Sequence, residues 1–315
     1  MDIDIDIDID QDTDHTMSLS KYPSQLSLPQ TNPGVATVLE YLVARFPGID
    51  AGAWRQRMTE GKVHWHNGTP ITATCAYQAQ QRVYYYREVA GEPVIPFAEK
   101  ILFQNEHILV AWKPHFLAVT PGGIWVNECL QNRLRKITGL DDLQAMHRLD
   151  RATAGLVLFS VNAETRMHYH DLFKTRQIHK TYHAIANVKE RENLACQEWH
   201  IKNRMERSPI RFRMHIVDGE ANTYSVIRCL EHSADRALFE LNPVTGKTHQ
   251  LRVHMQALGW PVLHDKYYPV LQEKSADNFE RPLQLVATGL RFVDPVTREL
   301  REFRSAVALS LHESK

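Results

Sequence analysis

A carboxylate between two arginines is the first group in this sequence that could do chemistry. Asp150 is flanked by Arg148 and Arg151, and the apolar run 155–161 that follows is short enough for a buried strand. A carboxylate flanked by guanidinium groups stays ionised, and a position at the mouth of a strand can aim it at a substrate. A salt bridge in an ordinary loop would use the same residues, so this stretch by itself leaves the function open.

Three further stretches accompany the Asp150 loop in a fixed order. The four together are Trp112-Lys-Pro114, His147-Arg-Leu-Asp150 with Thr153 and Gly155, Lys180-Thr-Tyr-His-Ala184, and Gly246-Lys-Thr-His-Gln-Leu-Arg-Val-His254. In type and order they resemble the signature stretches of the RluA-type pseudouridine synthases. One such match would be weak, whereas four in order make a specific resemblance. The resemblance implies an α+β fold, with a mixed, mostly antiparallel sheet, flanking helices and a central cleft.

The resemblance assigns three residues to catalysis. Asp150 matches the essential carboxylate, which either attacks the ribose or removes a ribose proton, and the sequence does not separate these routes. Arg252 matches the arginine that pairs with it, and a two-pronged guanidinium grip would fix its direction and keep it ionised. Tyr182 matches the tyrosine on which the base stacks, and it is the expected acceptor of the proton from uracil C5. An ordinary strand tyrosine is the alternative.

Four more residues are predicted to bind substrate around this centre. Arg148 matches the residue that fills the gap left by a flipped-out uridine, a step that costs a few kcal/mol. Arg151 flanks the carboxylate, and Lys180 is expected to give electrostatic support. Leu251, next to the catalytic arginine, is predicted to form an apolar wall under the base, although a leucine in a helix is more often a core residue.

A basic stretch at 202–215 is a second candidate RNA contact. Arg211, Arg213 and His215 would fall on one face of a strand, because side chains alternate along a strand. A hairpin arm that grips phosphates would have this pattern, and so would an ordinary solvated face. The use of loops as RNA clamps in the resembled family favours the arm.

No cofactor and no metal are expected. Isomerisation of uridine imports no group and changes no redox state, and neither a nucleotide-binding glycine motif nor metal-ligand spacing is found. His249 and His254 are five residues apart, which is off the spacing that places two ligands on one helix face. Together with His147 they are interpreted as hydrogen-bonded loop or helix histidines. The four cysteines are scattered, which argues against structural zinc.

Composition and the resemblance together predict three segments. Residues 1–33 read as a disordered acidic tail and linker, because seven aspartates stand in the first fourteen positions and would repel one another. An acidic decoy for the RNA-binding surface is the alternative. Residues 34–90 resemble a small S4-type RNA-binding module with a degenerate binding surface, since the basic face of its second helix is reduced to Arg55 and Arg57. A packing role without RNA binding is the alternative. Residues 96–315 form the predicted catalytic domain.

The predicted protein is a cytoplasmic monomer whose partner is RNA. The formal net charge is zero, but without the seven tail aspartates the chain has 37 basic against 30 acidic residues, which suits a polyanionic partner. No apolar run is long enough to span a membrane. The leading interpretation is an RNA pseudouridine synthase that acts on a structured RNA, ribosomal rather than transfer. A non-catalytic RNA-binding or ribosome-assembly factor on the same fold is the alternative.

Overall fold

The computed structural model describes residues 17–188, 194, 197–233, 235–307 and 309–311. The aspartate-rich segment that was predicted to be disordered lies outside these residues. The chain divides into two compact units. The smaller consists of the chain up to Val94 together with Pro121–Cys129, and the larger consists of Ile95–Thr120 and everything from Leu130 onward. Among the described residues, no helix has the length and apolarity that a membrane crossing requires.

The smaller unit combines two helices with short strands. Its elements are β1 (Met17–Leu19), β2 (Ser24–Ser27), α1 (Val38–Arg45), α2 (Ala51–Thr59), β3 (Val63–Trp65), β4 (Arg82–Tyr85) and β5 (Glu88–Ala90). The strands β2, β4 and β3 form an antiparallel sheet in that order, and β1 pairs with β5. Thr37 begins α1 by accepting a hydrogen bond from the Glu40 backbone N–H, while the Glu40 carboxylate accepts from the Ala36 N–H.

The prediction of a linker up to residue 33 is wrong for residues 17–27. Leu26 packs against the core of the smaller unit and Leu28 is buried, so this stretch has apolar surface to bury and a sheet edge to pair with. The alternation of half-buried and exposed residues along β2 is that of a strand on a sheet edge. Serine and proline content suggested a linker, and two apolar side chains at the right positions outweigh that signal.

The larger unit is organised by one sheet of eleven strands. Its elements are β6 (Lys100–Gln104), β7 (Ile108–Lys113), α3 (Leu130–Thr138), β8 (Gln144–Ala145), β9 (Ala154–Ser160), α4 (Arg166–Lys174), β10 (His179–Asn187), β11 (Glu198–Arg207), β12 (Met214–Val217), β13 (Thr223–His232), β14 (Arg236–Pro243), α5 (Gln250–Ala257), β15 (Leu285–Val293) and β16 (Leu300–Arg304). The strand order is β12-β11-β13-β14-β10-β15-β9-β7-β6, and β16 and β8 pair with β15 and β9. Among the described strands, only β15 and β9 pair in parallel, so the predicted α+β class with a mostly antiparallel sheet is confirmed.

Strand β9, which follows the Asp150 loop, lies in the middle of the core. All seven of its residues are buried: Val157 and Phe159 pack on one side of the sheet with α3, and Leu156 and Leu158 pack on the other side with α4. Gly155 has a φ of +126°, and a Cβ there would lie 2.5 Å from the backbone nitrogen of Ala287 on β15. Glycine is therefore required for the two parallel strands to approach, and the approach fixes where the preceding loop ends.

Candidate active site

A buried lysine is hydrogen-bonded to the backbone of the Asp150 loop. Lys113, at the end of β7, is fully buried, and its Nζ donates to the carbonyl oxygens of Pro114 at 2.9 Å, Leu117 at 2.6 Å and Arg151 at 3.1 Å. Burial, followed by the nearby charge of Arg151, lowers the pKa of Lys113, and the charge of Asp150 opposes that effect. The three carbonyl acceptors satisfy the hydrogen-bonding capacity of the buried ammonium. The third of these bonds ties the residue after Asp150 to the core of the sheet.

His147 holds the other end of the loop. Its Nε2 accepts from the backbone N–H of Leu158, and its ring stacks on Phe173 with centroids 4.9 Å apart. Burial, together with the nearby charge of Lys180, lowers the pKa of His147 to about 3, so the imidazole is neutral and serves as an acceptor. His254 is likewise buried and bonded, to Thr223 and Asn203, which agrees with the interpretation of these histidines from the sequence.

The carboxylate of Asp150 faces a buried arginine that is shared with a second carboxylate. Arg252 donates from Nη1 to Asp150 Oδ2 at 3.1 Å, and from Nε and Nη2 to the two oxygens of Asp265 at 2.7 and 2.6 Å. The expectation that Arg252 grips Asp150 with two prongs is therefore wrong. The fork belongs to Asp265, whose side chain has no exposed surface, while the Asp150 side chain is 29% exposed. Arg252 thus offers Asp150 one donor, and one face of the carboxylate stays open.

The Asp265 carboxylate is fixed from both sides. Besides Arg252, its Oδ1 accepts from the backbone N–H groups of Tyr267 and Tyr268, at 2.8 and 3.1 Å. The rings of these two tyrosines lie over the Arg252 guanidinium, with centroids 4.9 and 5.3 Å from Cζ. A planar cation between carboxylate and aromatic faces has little freedom to turn, so the donor aimed at Asp150 is preorganised.

His249 is the second group next to Asp150. It stands in the left-handed region at φ 55°, directly before α5, and its Nε2 is 3.8 Å from Asp150 Oδ2. Its Nδ1 lies 2.9 Å from the Tyr268 hydroxyl, and its ring stacks on Tyr267. Burial, opposed by the charge of Asp150, lowers the pKa of His249. The lowered pKa favours the neutral ring at neutral pH, in which Nδ1 and the Tyr268 hydroxyl share a hydrogen bond.

The charge state of Asp150 follows from these neighbours. Burial raises its pKa, but the combined effect of His249, Arg252 and Lys113 is larger, so the pKa lies below the ordinary aspartate value. Asp150 is therefore ionised at neutral pH. An ionised and partly open carboxylate beside a single fixed donor can act as a nucleophile or as a base.

Tyr182 and Lys180 both lie on β10. Tyr182 packs against the two core clusters that meet at β15, and burial, followed by the charge of Asp150, raises the pKa of its phenol well above the ordinary tyrosine value. The hydroxyl is therefore protonated at neutral pH, which argues against the expected role as acceptor of the C5 proton. Burial lowers the pKa of Lys180 to about 8, and its ammonium lies 3.4 Å from the carbonyl of Thr245.

The remaining predicted substrate residues divide into two groups. Arg148 is exposed at the surface of the loop and is available to a ligand. Arg151, in contrast, forms a two-pronged ion pair with Asp277 at 2.6 and 2.7 Å, and its Nη1 also donates to the Phe116 carbonyl. Leu251 is 7% exposed and packs in the core cluster around β10, β13 and β14, which is the position of a core leucine.

The basic arm differs from its prediction. Arg211 and Arg213 lie in the turn between β11 and β12, so they do not share a face of a strand with His215. Arg213 donates to the Pro269 carbonyl at 2.8 Å and lies over the Tyr268 ring, whereas Arg211 is exposed beside Phe212. The turn forms because Phe212 adopts a φ of +67°, a left-handed conformation that alternation along a strand does not anticipate.

The position of Asp265 beside Arg252 was not predicted from the sequence, and Lys113 was placed in a motif without a role of its own. Asp265 follows a tight turn 13 residues after Arg252, in a stretch without a motif match, so only the folded chain brings the two together. Lys113 ends a strand in which all six residues are buried. A lysine in so apolar a run was the sequence feature that could have indicated a buried, hydrogen-bonded role. Among the described residues, no three His, Cys, Asp or Glu side chains cluster in a way that could hold a metal ion.

Comparison with known proteins agrees with this geometry. Residues 107–257 match the family model described as RNA pseudouridylate synthase. The dual-specificity RNA pseudouridine synthase RluA of Vibrio vulnificus is 33% identical over 220 residues, which cover 66% of this chain and 83% of that protein. The ribosomal large subunit pseudouridine synthase C of Rickettsia typhi is 31% identical over 192 residues, which cover 57% of this chain and 61% of that protein.

A solved structure supports the same assignment. Human RNA pseudouridylate synthase domain containing 1 superposes with a TM-score of 0.55 at 25% identity, over 69% of this chain and 86% of that chain. The family match contains Asp150, Tyr182 and Arg252 and leaves the smaller unit almost entirely outside. The chain belongs to the RluA-type family of RNA pseudouridine synthases, and it is an isomerase that converts uridine to pseudouridine in RNA.

Proposed function

We propose that Asp150 is the catalytic carboxylate and that it acts on a uridine flipped out of a structured RNA. The observation that carries this proposal is the pairing of Asp150 Oδ2 with one buried donor, Arg252 Nη1, while the rest of the carboxylate remains open. During the reaction the bond from ribose C1′ to uracil N1 breaks, the base turns, and a bond from C1′ to C5 forms. The C5 proton is then lost to water and N1 takes up a proton, so the product has the same composition as the substrate. The open face is where the ribose would approach.

Two routes for Asp150 are consistent with this arrangement. In one the carboxylate attacks C1′ and leaves again when C5 bonds to C1′. In the other it removes a proton from C2′ as the bond from C1′ to N1 breaks, and returns that proton to C2′ as C5 bonds to C1′. Both need an ionised Asp150, which its lowered pKa supports. A substrate deuterated at C2′ separates them: a large primary isotope effect on the single-turnover rate would identify proton removal, and its absence would favour attack at C1′.

The neighbouring residues take binding roles in this proposal. Tyr182 offers its ring face to the uracil, and its raised pKa supports a neutral platform in preference to a base. Arg148, which is exposed on the same loop as Asp150, takes the place of the extruded base, because replacing lost stacking offsets part of the cost of extrusion. Lys180 supplies a positive charge near the substrate while the pH is below its pKa of about 8.

We further propose that the substrate is ribosomal RNA rather than transfer RNA. The Rickettsia typhi relative is named for the large ribosomal subunit, which supports ribosomal RNA, whereas the Vibrio vulnificus relative is named as dual-specificity. A cytoplasmic monomer that needs no metal or cofactor is part of the same proposal. Pseudouridine mapping in ribosomal and transfer RNA, with and without the protein, identifies the class.

The decisive experiment is Asp150→Asn in the complete chain. The variant keeps size and one hydrogen-bond acceptor but loses the charge, so we expect no detectable isomerisation, with RNA affinity nearly unchanged because phosphate contacts carry most of the affinity. Asp171→Asn, at an exposed position of α4, is the matched control and should behave like the wild type. Substantial turnover by the Asp150→Asn variant would overturn the assignment.

A further inference from the structure

The outer surface of the three-stranded sheet in the smaller unit is unusually aromatic. Along β4, Val83 and Tyr85 point into the core, and the alternating residues Arg82, Tyr84 and, just past the strand, Tyr86 point outward. Arg82 is exposed, and the two outward tyrosines remain partly exposed. Side chains on the solvent-facing side of an antiparallel sheet are commonly polar, so aromatic rings at these positions require an explanation.

The neighbouring strand adds two more rings to the same surface. On β3, Val63 is buried, whereas His64 is partly exposed and His66, just past the strand, is exposed. His64 stands directly opposite Tyr84, and their rings are parallel within 8° with centroids 5.5 Å apart. We call His64, His66, Tyr84 and Tyr86 the aromatic face.

The four rings form one continuous row. His66 lies 5.7 Å from Tyr84 and its Nδ1 is 2.9 Å from the tyrosine hydroxyl, while His64 lies 5.9 Å from Tyr86. Ring-to-ring contacts and the hydrogen bond hold the side chains in place before any ligand arrives. Because the rings are ordered in advance, a ligand that stacks on them loses less entropy in ordering them.

Charge favours a polyanion at this face. Arg82 lies beside the aromatic face with its guanidinium exposed. The nearest acidic side chain in the sequence, Glu88, has its carboxylate paired with Arg57 and Lys62, so its charge is compensated. Flat rings beside a cation are the combination that binds single-stranded nucleic acid, since every base has a face to stack and every nucleotide a phosphate.

The helical side of the same unit is a poorer candidate for RNA. Arg57, which the sequence suggested as part of a basic helix face, is buried, donates to Glu88 at 3.2 Å, and lies over the Trp54 ring at 5.2 Å. On α2 this leaves Arg55 as the exposed arginine. We therefore propose that a single-stranded segment of RNA binds on the sheet side, with bases stacked on the aromatic face and a phosphate at Arg82.

This proposal concerns a surface other than the isomerase site, so changes to that surface should alter RNA affinity without altering the isomerisation rate. In the full-length protein, the double variant His64→Leu/Tyr84→Leu keeps apolar bulk and removes two ring faces. Affinity for a labelled single-stranded oligouridine of about ten nucleotides should fall on the order of five- to a hundredfold, the range for losing stacked bases. Tyr84→Phe keeps the ring and loses only the hydrogen bond to His66, so it should bind much more tightly than the double variant and close to the wild type. It also shows whether the sheet tolerates changes at this position.

Salt dependence tests the phosphate contact. Arg82→Gln should reduce the slope of log affinity against log salt by about 0.7, the value for one phosphate contact on a single strand. Arg55→Gln removes the same charge from α2 and is the matched control, with the slope expected to stay unchanged. If Arg55→Gln lowers the slope and Arg82→Gln does not, RNA binds the helical side and the proposal is wrong.

Single-turnover rates separate this surface from the catalytic site. At saturating RNA, the double variant should isomerise its substrate at the wild-type rate, because the changed residues only supply affinity. Asp150→Asn should show the reverse pattern, with normal oligouridine affinity and no rate. Unchanged oligouridine affinity in the folded double variant would overturn the proposal, as would tighter binding of a duplex than of the single strand.

Discussion

Replacing Arg252 with lysine would test how much of the catalytic power comes from one oriented donor. Arg252 makes three charge-assisted hydrogen bonds, two to Asp265 and one to Asp150, and only 3% of its side chain is exposed. Lysine keeps the charge but is a point donor on a flexible stem, so it cannot hold the Asp265 fork and face Asp150 at once.

The size of the effect follows from the bonds that are lost. Loss of one preorganised electrostatic contact typically lowers the rate by about 10²–10³. The same change leaves a fully buried Asp265 oxygen without its partner, and a hydrogen bond to a charged group contributes about 1.5–3 kcal/mol to stability. We therefore expect Arg252→Lys to lower both the single-turnover rate and the free energy of unfolding, the latter by about 2–3 kcal/mol.

The assay must separate a slow enzyme from an unfolded one. Rates are measured at saturating RNA and at a temperature well below the melting transition, so that the variant is fully folded. Arg57→Lys is the matched control, because Arg57 is also buried and paired with one carboxylate, but it lies in the smaller unit. It should lose stability and keep the wild-type rate. A normal rate for Arg252→Lys would refute the orienting role.

Three further outcomes can be checked on the same protein. Because burial lowers the pKa of Lys180 to about 8, its positive charge is lost as the pH rises through that value, and KM for RNA should rise between about pH 7 and 9. In the Lys180→Arg variant the charge persists, so KM should stay flat over this range. An identical rise of KM in both proteins would count against a role for this charge. Gly155→Ala places a Cβ against the backbone of Ala287 at a φ of +126°. The free energy of unfolding, measured in urea, should fall by about 3 kcal/mol or more. An unchanged unfolding midpoint would contradict the close approach of the two strands. Removal of residues 1–16 takes away seven aspartates whose negative charges repel RNA. RNA affinity should therefore rise at low salt and converge with that of the wild type at high salt. A loss of affinity would show that these residues help to bind RNA.

The sequence identified two residues, Asp150 and Arg252, whose side chains meet in the structure, but it did not identify the residue that positions them. Asp150 and Arg252 could be paired in advance because each stands in a recognisable stretch, and the fold class followed from the same stretches. The role of Asp265 could not be predicted, since its importance arises only where a turn brings it under the guanidinium. Arg151 and Arg213 have partners within the chain that the sequence did not predict, for a related reason. Charge predicts that an arginine finds an anionic or carbonyl partner, but composition does not say whether that partner is RNA or the chain itself.

The position of β15 between β10 and β9 governs when activity can appear during synthesis. One half of the sheet carries the Asp150 loop, and the other half carries the strands against which α5, with Arg252, packs. The two halves are joined through β15, which begins at Leu285. The Asp150 carboxylate and Arg252 therefore cannot be fixed relative to each other before this strand has been synthesised. Nascent chains that end before this strand should remain inactive.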